Sequence, residues 1–200
     1  MSLELNEEKK KYIESHFYCI MKKLGLDMKD DSLQDTPKRV AKMFVEEIFY
    51  GLDKENMPRL MVQENKFGYD QMLIEAGIKV HSVCEHHFVP IIGVCHLAYI
   101  PKDKIMGLSK FNRLVDYYSR RPQVQEKLTS QVLAGLKEGL QTEDIAVVID
   151  AAHMCVKLRG IKDERTITRT SALSGLFKSD QNTRNEFFQS IPNISDLKDL

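Results

Sequence analysis

The stretch Ile145-Ala-Val-Val-Ile-Asp-Ala-Ala-His-Met-Cys-Val-Lys157 is rich in Val and Ile and too continuously apolar for a strand with one face in water. It is expected at the centre of a sheet. Counting by two from Ile145 puts Val147, Ile149, His153, Cys155, Lys157 and Arg159 on one face if the strand stays regular. An imidazole, a thiol and two cations would then emerge together toward its C-terminal end, so the segment that organises the fold also carries candidate chemistry.

Working outward, the segment before it carries Val124, Leu128, Val132, Leu136 and Leu140 on one helical stripe. Ahead of that, Ser109 reads as the cap of a helix with Phe111, Leu114, Val115 and Tyr118 inward, broken by Arg120-Arg121-Pro122. Ile78 to Cys84 and Ile91 to Ile100 read as strands, which makes Cys84 to Pro90 an inter-strand loop. Downstream, Gly160 marks a turn, Arg165 to Ala172 a Thr-rich strand, and Asp180 to Ile191 a helix with Phe187 and Phe188 inward.

The N-terminal part differs in kind. Asn6 to Leu24 has Ile13, Phe17, Ile20, Met21 and Leu24 at helical spacing, with Gly25 as a stop. Thr36 as cap and Pro37 at the first helical position open a second helix to about Tyr50, with Val40, Met43, Phe44 and Ile48 on one face. Arg39 and Lys42 near its start read, on pattern alone, as a solvated basic face. Met57 to Gly68 reads as a connecting loop, and the polar tail after Pro192 as loosely held. The order helix, helix, strand, strand, helix, helix, strand, strand, helix implies an α+β fold with an antiparallel sheet. Residues 1–56 form a helical segment, and 57–200 a second domain.

Composition narrows the function. Lys and Arg number 29 and so do Asp and Glu, so the formal charge is zero, which argues against a general nucleic-acid binder and requires any phosphate affinity to be local. No apolar run reaches membrane-spanning length. Four cysteines without an apolar leader fit a reducing cytoplasm better than a disulfide framework. Cys19 and Cys95 read as small core residues.

Cys84-Glu-His-His87 places a thiol and an imidazole three residues apart, able to hold zinc through Cys84 and His87 and leave His86 free. The same spacing occurs in closed structural zinc sites. Cys155 is the candidate third ligand. Three ligands with an open fourth position mark a catalytic zinc, with His86 and His153 as unligated imidazoles beside it.

Taken together, the runs Thr36-Pro-Lys-Arg-Val-Ala-Lys-Met43, Cys84-Glu-His-His-Phe88, Gly107-Leu-Ser-Lys-Phe-Asn-Arg113, Arg121-Pro-Gln-Val-Gln-Glu126, His153-Met-Cys-Val-Lys-Leu-Arg-Gly160 and Gly175-Leu-Phe-Lys-Ser-Asp-Gln-Asn-Thr-Arg184 resemble the type I GTP cyclohydrolases, in the family's order. The resemblance implies a tunnelling fold over 57–200, with sheets of several subunits joined into a barrel and two pentameric barrels stacked into a homodecamer with shared active sites. It implies zinc-dependent conversion of GTP and water to 7,8-dihydroneopterin triphosphate and formate, the first step of pterin and tetrahydrofolate synthesis.

Position by position, the resemblance makes Cys84, His87 and Cys155 zinc ligands, His86 and His153 catalytic histidines, and Ser109 a ribose contact. Lys110, Arg113 and Arg159 become triphosphate contacts, and Arg39 one reaching over from a neighbouring subunit. Gln125 and Glu126 become the guanine-reading pair. These roles suit the chemistry: opening the imidazole ring of the purine needs a proton donor such as His86, and opening the ribose needs proton transfers near His153 and Ser109. Several phosphate charges require clustered Lys and Arg. Two departures stand out. Arg165 and Arg169 occupy positions where family members often carry smaller Ser or Thr. The N-terminal segment is also shorter than the extension that animal members use for feedback regulation.

Overall fold

The computed structural model describes residues 3–194 and divides into two compact units, Met1–Asn56 and Met57–Leu200. Of the expected polar tail, residues 195–200 lie outside the described residues.

In the first unit, α1 (Leu3–Lys23) packs on α2 (Thr36–Met43), which continues as a π-helical turn (Phe44–Ile48) and a short 3-10 turn (Tyr50–Leu52). Several expectations are corrected here. Asp35, not Thr36, is the N-cap, with Pro37 in the first turn. The second helix leaves α geometry after Met43 and widens into a π-helical turn over Phe44–Ile48. Met21 and Ala41 are buried, whereas Ile20 and Leu24 of the expected apolar stripe are exposed, as is Cys19.

The second unit contains, in chain order, β1 (Val62–Glu64), β2 (Leu73–Cys84), β3 (Pro90–Tyr99), β4 (Lys104–Met106), α3 (Ser109–Ser119), β5 (Pro122–Gln123) and α4 (Gln125–Leu140). It continues with β6 (Ile145–His153), α5 (Met154–Lys157), β7 (Thr168–Leu173), α6 (Leu176–Ser179) and α7 (Gln181–Gln189). A five-stranded sheet runs β5-β2-β3-β6-β7, antiparallel throughout except for a two-residue parallel pairing of β5 with β2. The run Ile145–His153 is central, as its continuous apolarity requires. Met57 to Gly68 is more than a loop, since its segment β1 pairs with β4.

Each face of the sheet has its own core. On one, Val147, Ile149 and Ala151 of β6 and Cys95, Leu97 and Tyr99 of β3 meet Phe111, Leu114 and Val115 of α3 and Leu128, Val132 and Leu136 of α4. Full burial of each such aliphatic side chain contributes about 1.5–3 kcal/mol, so the helical stripes read from sequence fix both helices to this face. On the other face, Ala98, Ala146 and Val148 meet Phe177 and Phe187. Asp180 caps α7 by accepting from the Thr183 amide at 2.7 Å.

The second face also explains Arg169. Asp150 is fully buried, and Arg169 donates to its carboxylate through Nε at 2.7 Å and Nη2 at 2.8 Å, while Nη2 also reaches the Pro192 carbonyl at 2.9 Å. This bidentate pair supplies the compensation a buried carboxylate needs. Burial pushes the pKa of the adjacent His96 down, against the pull of Asp150. Arg165 is exposed, and nothing in the structure explains its identity.

A candidate metal centre

The register of the sheet brings two distant sequence segments to one end. Val83 pairs with Pro90 across the β2–β3 connection, and Ile91 pairs with His153 at the end of β6. The loop Glu85–Val89 is closed by the Phe88 amide on the Cys84 carbonyl and the Cys84 amide on the Val89 carbonyl, both at 2.9 Å. Phe88 takes φ 55°, a left-handed conformation uncommon for a bulky residue, to make this turn.

Cys155 reaches the same place by a route the sequence count did not give. Strand β6 stops at His153, and Cys155 stands on the helical turn α5 rather than two places further along a regular strand. The turn rotates its thiol relative to strand alternation. Consequently the candidate ligand atoms of Cys84, His87 and Cys155 all lie within 4.8 Å of one another. Two thiols and an imidazole are the soft and borderline donors that suit zinc, and three protein donors leave a fourth tetrahedral position open. Burial and the neighbouring Cys84 push the Cys155 thiol up, while Arg159 opposes them. All four cysteines are free.

The unligated groups surround this trio. His86 is exposed, with Nδ1 3.9 Å from Cys84 Sγ. Arg159 Nη1 donates to His87 Nε2 at 3.0 Å, tying one cation to the ligand set. His153 is half-buried, and burial holds its pKa down, opposed by Glu126. Its Nε2 lies 2.7 Å from Oε1 of Gln125, the first residue of α4. The parallel pairing of Cys84 with Gln123, reinforced by the Glu85 amide on the Gln123 carbonyl at 3.0 Å, holds the start of that helix against the metal loop.

The other expected residues fall into two groups. Ser109 is the first residue of α3 rather than its cap, which is Leu108; Ser109 and Arg113 are exposed and Lys110 half-exposed on that helix. Glu126 is exposed in the first turn of α4. Arg39, on α2 in the first unit, makes an exposed ion pair with Asp35 at 3.7 Å. Three residues that the sequence reading passed over support the site. Gln123 anchors the loop, and Thr129 and Thr170 share a 2.7 Å hydrogen bond beside Gln125. Only polar residues at otherwise buried positions hint at them.

A family model described as GTP cyclohydrolase I matches residues 13–192 of this chain. Among curated proteins, the GTP cyclohydrolase 1 of Enterobacter sp. (strain 638) is 52% identical over 186 residues, covering 93% of this chain and 84% of that one. That of Citrobacter koseri is 53% identical over 186 residues with the same coverage. A solved structure of an archaeosine synthase QueF-Like in the apo form covers 54% of this chain at 20% identity and TM-score 0.42, too distant to carry an argument.

Proposed function

Because the chain belongs to the GTP cyclohydrolase I family, we propose that it converts GTP and water to 7,8-dihydroneopterin triphosphate and formate, with zinc as its metal. The observation that carries this reading is the convergence of Cys84, His87 and Cys155 within 4.8 Å at the end of the sheet, with His86 next to Cys84 and His153 closing β6. Zinc bound by these three side chains would supply Lewis acidity and activate water near neutral pH.

The chain's own residues then have separable tasks. His86, exposed beside Cys84, donates the proton that the departing purine nitrogen needs. His153 and Ser109 serve the proton transfers and contacts at the ribose. Glu126 accepts from the guanine N1 hydrogen and N2 amine through the two oxygens of its carboxylate. Lys110, Arg113 and Arg159 hold the triphosphate, joined by Arg39 of a neighbouring subunit. Residues 57–200 are the catalytic domain in this reading, and 1–56 a helical attachment. Use of free thiols as ligands suits a cytoplasmic location.

Two features support assembly through the sheet into a decamer of paired barrels. Among the described residues, β2 is paired on its outer side only at Val83 and Cys84, and β7 has no outer neighbour. Such edges invite pairing with other strands. Mixing Arg39→Ala chains with His86→Ala chains tests shared sites: refolded mixed oligomers should regain activity that neither variant has. Mixed oligomers without activity would confine the site to one chain.

The reaction itself is tested by incubating zinc-loaded protein with GTP and measuring formate together with the fluorescent pterin formed after oxidation. Equal amounts of both products are expected. Zinc-loaded protein that releases neither would overturn the reading.

A further inference from the structure

Gln125 is 2% exposed and sits where α4 meets β6 and β7. Its amide nitrogen lies 2.8 Å from the Ile149 carbonyl, 2.8 Å from the Thr168 carbonyl and 3.1 Å from Thr170 Oγ1. Carbonyl oxygens only accept, so the group facing them must be the NH2 end; the flipped amide would set oxygen against two oxygens. The orientation of Gln125 is therefore fixed by chemistry rather than chosen.

A hydroxyl pair completes the arrangement. Thr129 Oγ1 donates to the backbone carbonyl of Gln125 at 2.8 Å, which spends its hydrogen. Thr170 is then the donor in the 2.7 Å contact between the two threonines. With the amide hydrogens committed to β6 and β7, Oε1 is left facing His153 Nε2 at 2.7 Å. An amide oxygen cannot donate, so that ring nitrogen must carry the hydrogen. The neutral ring is held as the Nε2–H form, and Nδ1 keeps the lone pair.

We propose that Gln125 is a positioning residue, one that fixes the orientation and tautomer of His153 so that Nδ1 is its proton-accepting atom, and that base reading falls to Glu126 without the Gln125 amide. This rests on the reading of His153 as a proton-transfer group in the proposed reaction. To read guanine through its N–H groups, Gln125 would first have to give up the Ile149 and Thr168 carbonyls that hold them at 2.8 Å each.

The tautomer can be measured without any turnover. In zinc-loaded protein carrying 15N-histidine, magic-angle-spinning NMR of the sedimented protein reads the His153 ring, assigned by the signal lost in His153→Gln. The wild type should show the Nε2–H form alone, and Gln125→Leu a mixture. In kinetics, Gln125→Leu should lower kcat by about 10²-fold, the scale of a proton transfer handicapped by its geometry, with the KM for GTP changed less than about threefold. An Nδ1–H ring in the wild type overturns the proposal, whether or not the variant folds. So does a Gln125→Leu enzyme with unchanged kcat, a raised KM and weakened preference for GTP over inosine triphosphate. If the tautomer shifts as expected but zinc-loaded wild type makes no pterin, the reaction is wrong and the positioning of His153 stands.

Discussion

The two halves of the proposed site are built to different tolerances. Cys84, His87 and Cys155 come together in one unit of one chain, with ligand atoms within 4.8 Å. Lys110 and Arg113 stand on α3 with no side-chain ion pair or hydrogen bond among the described residues, and Arg39 has only an exposed pair with Asp35. A metal needs bond lengths held to tenths of an ångström, which a strand, a five-residue loop and a helical turn can set. Phosphate needs positive charge that is free to meet it, so cations spent on internal carboxylates would be lost to the ligand. Arg159 belongs to both halves, since it is a cation in contact with a candidate ligand.

The largest effect is expected where tolerance is smallest. Cys155→Ser should lower zinc affinity by more than about 100-fold, beyond what loss of a supporting contact costs, because a hydroxyl poorly replaces a thiolate. Metal content of the purified protein measures this, and an unchanged zinc stoichiometry would remove Cys155 from the site. His86→Ala should retain zinc and lose about 10²–10⁴ in kcat, the range for a positioned proton donor. Loss of zinc from His86→Ala but not from His87→Ala would exchange the roles of the two neighbours.

Base recognition lies between the extremes. Glu126 is exposed in the single chain, so in the proposed role its contribution is that of two charge-assisted hydrogen bonds formed on binding. Glu126→Ala should lower kcat/KM for GTP by about 10²-fold or more with zinc intact, and the wild type should use inosine triphosphate, which lacks the N2 amine, less well than GTP. Comparable turnover of the two nucleotides, with a mild effect of Glu126→Ala, would assign the base to another group. The smallest effect belongs to the dispersed cations. Lys110→Ala should raise the KM for GTP by about tenfold, an effect that shrinks as salt rises. A salt-independent change in kcat would instead tie Lys110 to the chemistry.

Sequence carried much of this site because its chemistry-bearing residues are rare types in short, local patterns. Cys84-x-x-His87 is legible as a candidate ligand pair from its spacing, which closed structural sites share. The stripes Phe111/Leu114/Val115 and Leu128/Val132/Leu136 are legible as buried because helical periodicity leaves them one face. Spacing failed where the backbone changed type. His153 and Cys155 share a face only if the strand continues, and it does not. The Thr36–Tyr50 helix likewise loses α geometry at Phe44, where local propensity gives no warning. Arg169 stands out in the sequence only as a departure from the family's smaller residues, and the sheet register gives it a role by placing it opposite Asp150.

By itself, then, the sequence determined the α+β class, an interior strand starting at Ile145, the donor types of the candidate metal centre and, through its motifs, the family. The class and the strand follow from periodicity over fewer than about twenty residues, the range in which side-chain patterns and backbone geometry are directly linked, whereas the family rests on the resemblance of motifs spread along the chain. Only the tertiary structure decided that Cys155 sits on a helical turn within reach of Cys84 and His87, and that Gln125 faces His153 with its amide hydrogens already committed. Both depend on strand register, and the contacts it creates join residues far apart in the chain, so neither position carries a local signal of its partner.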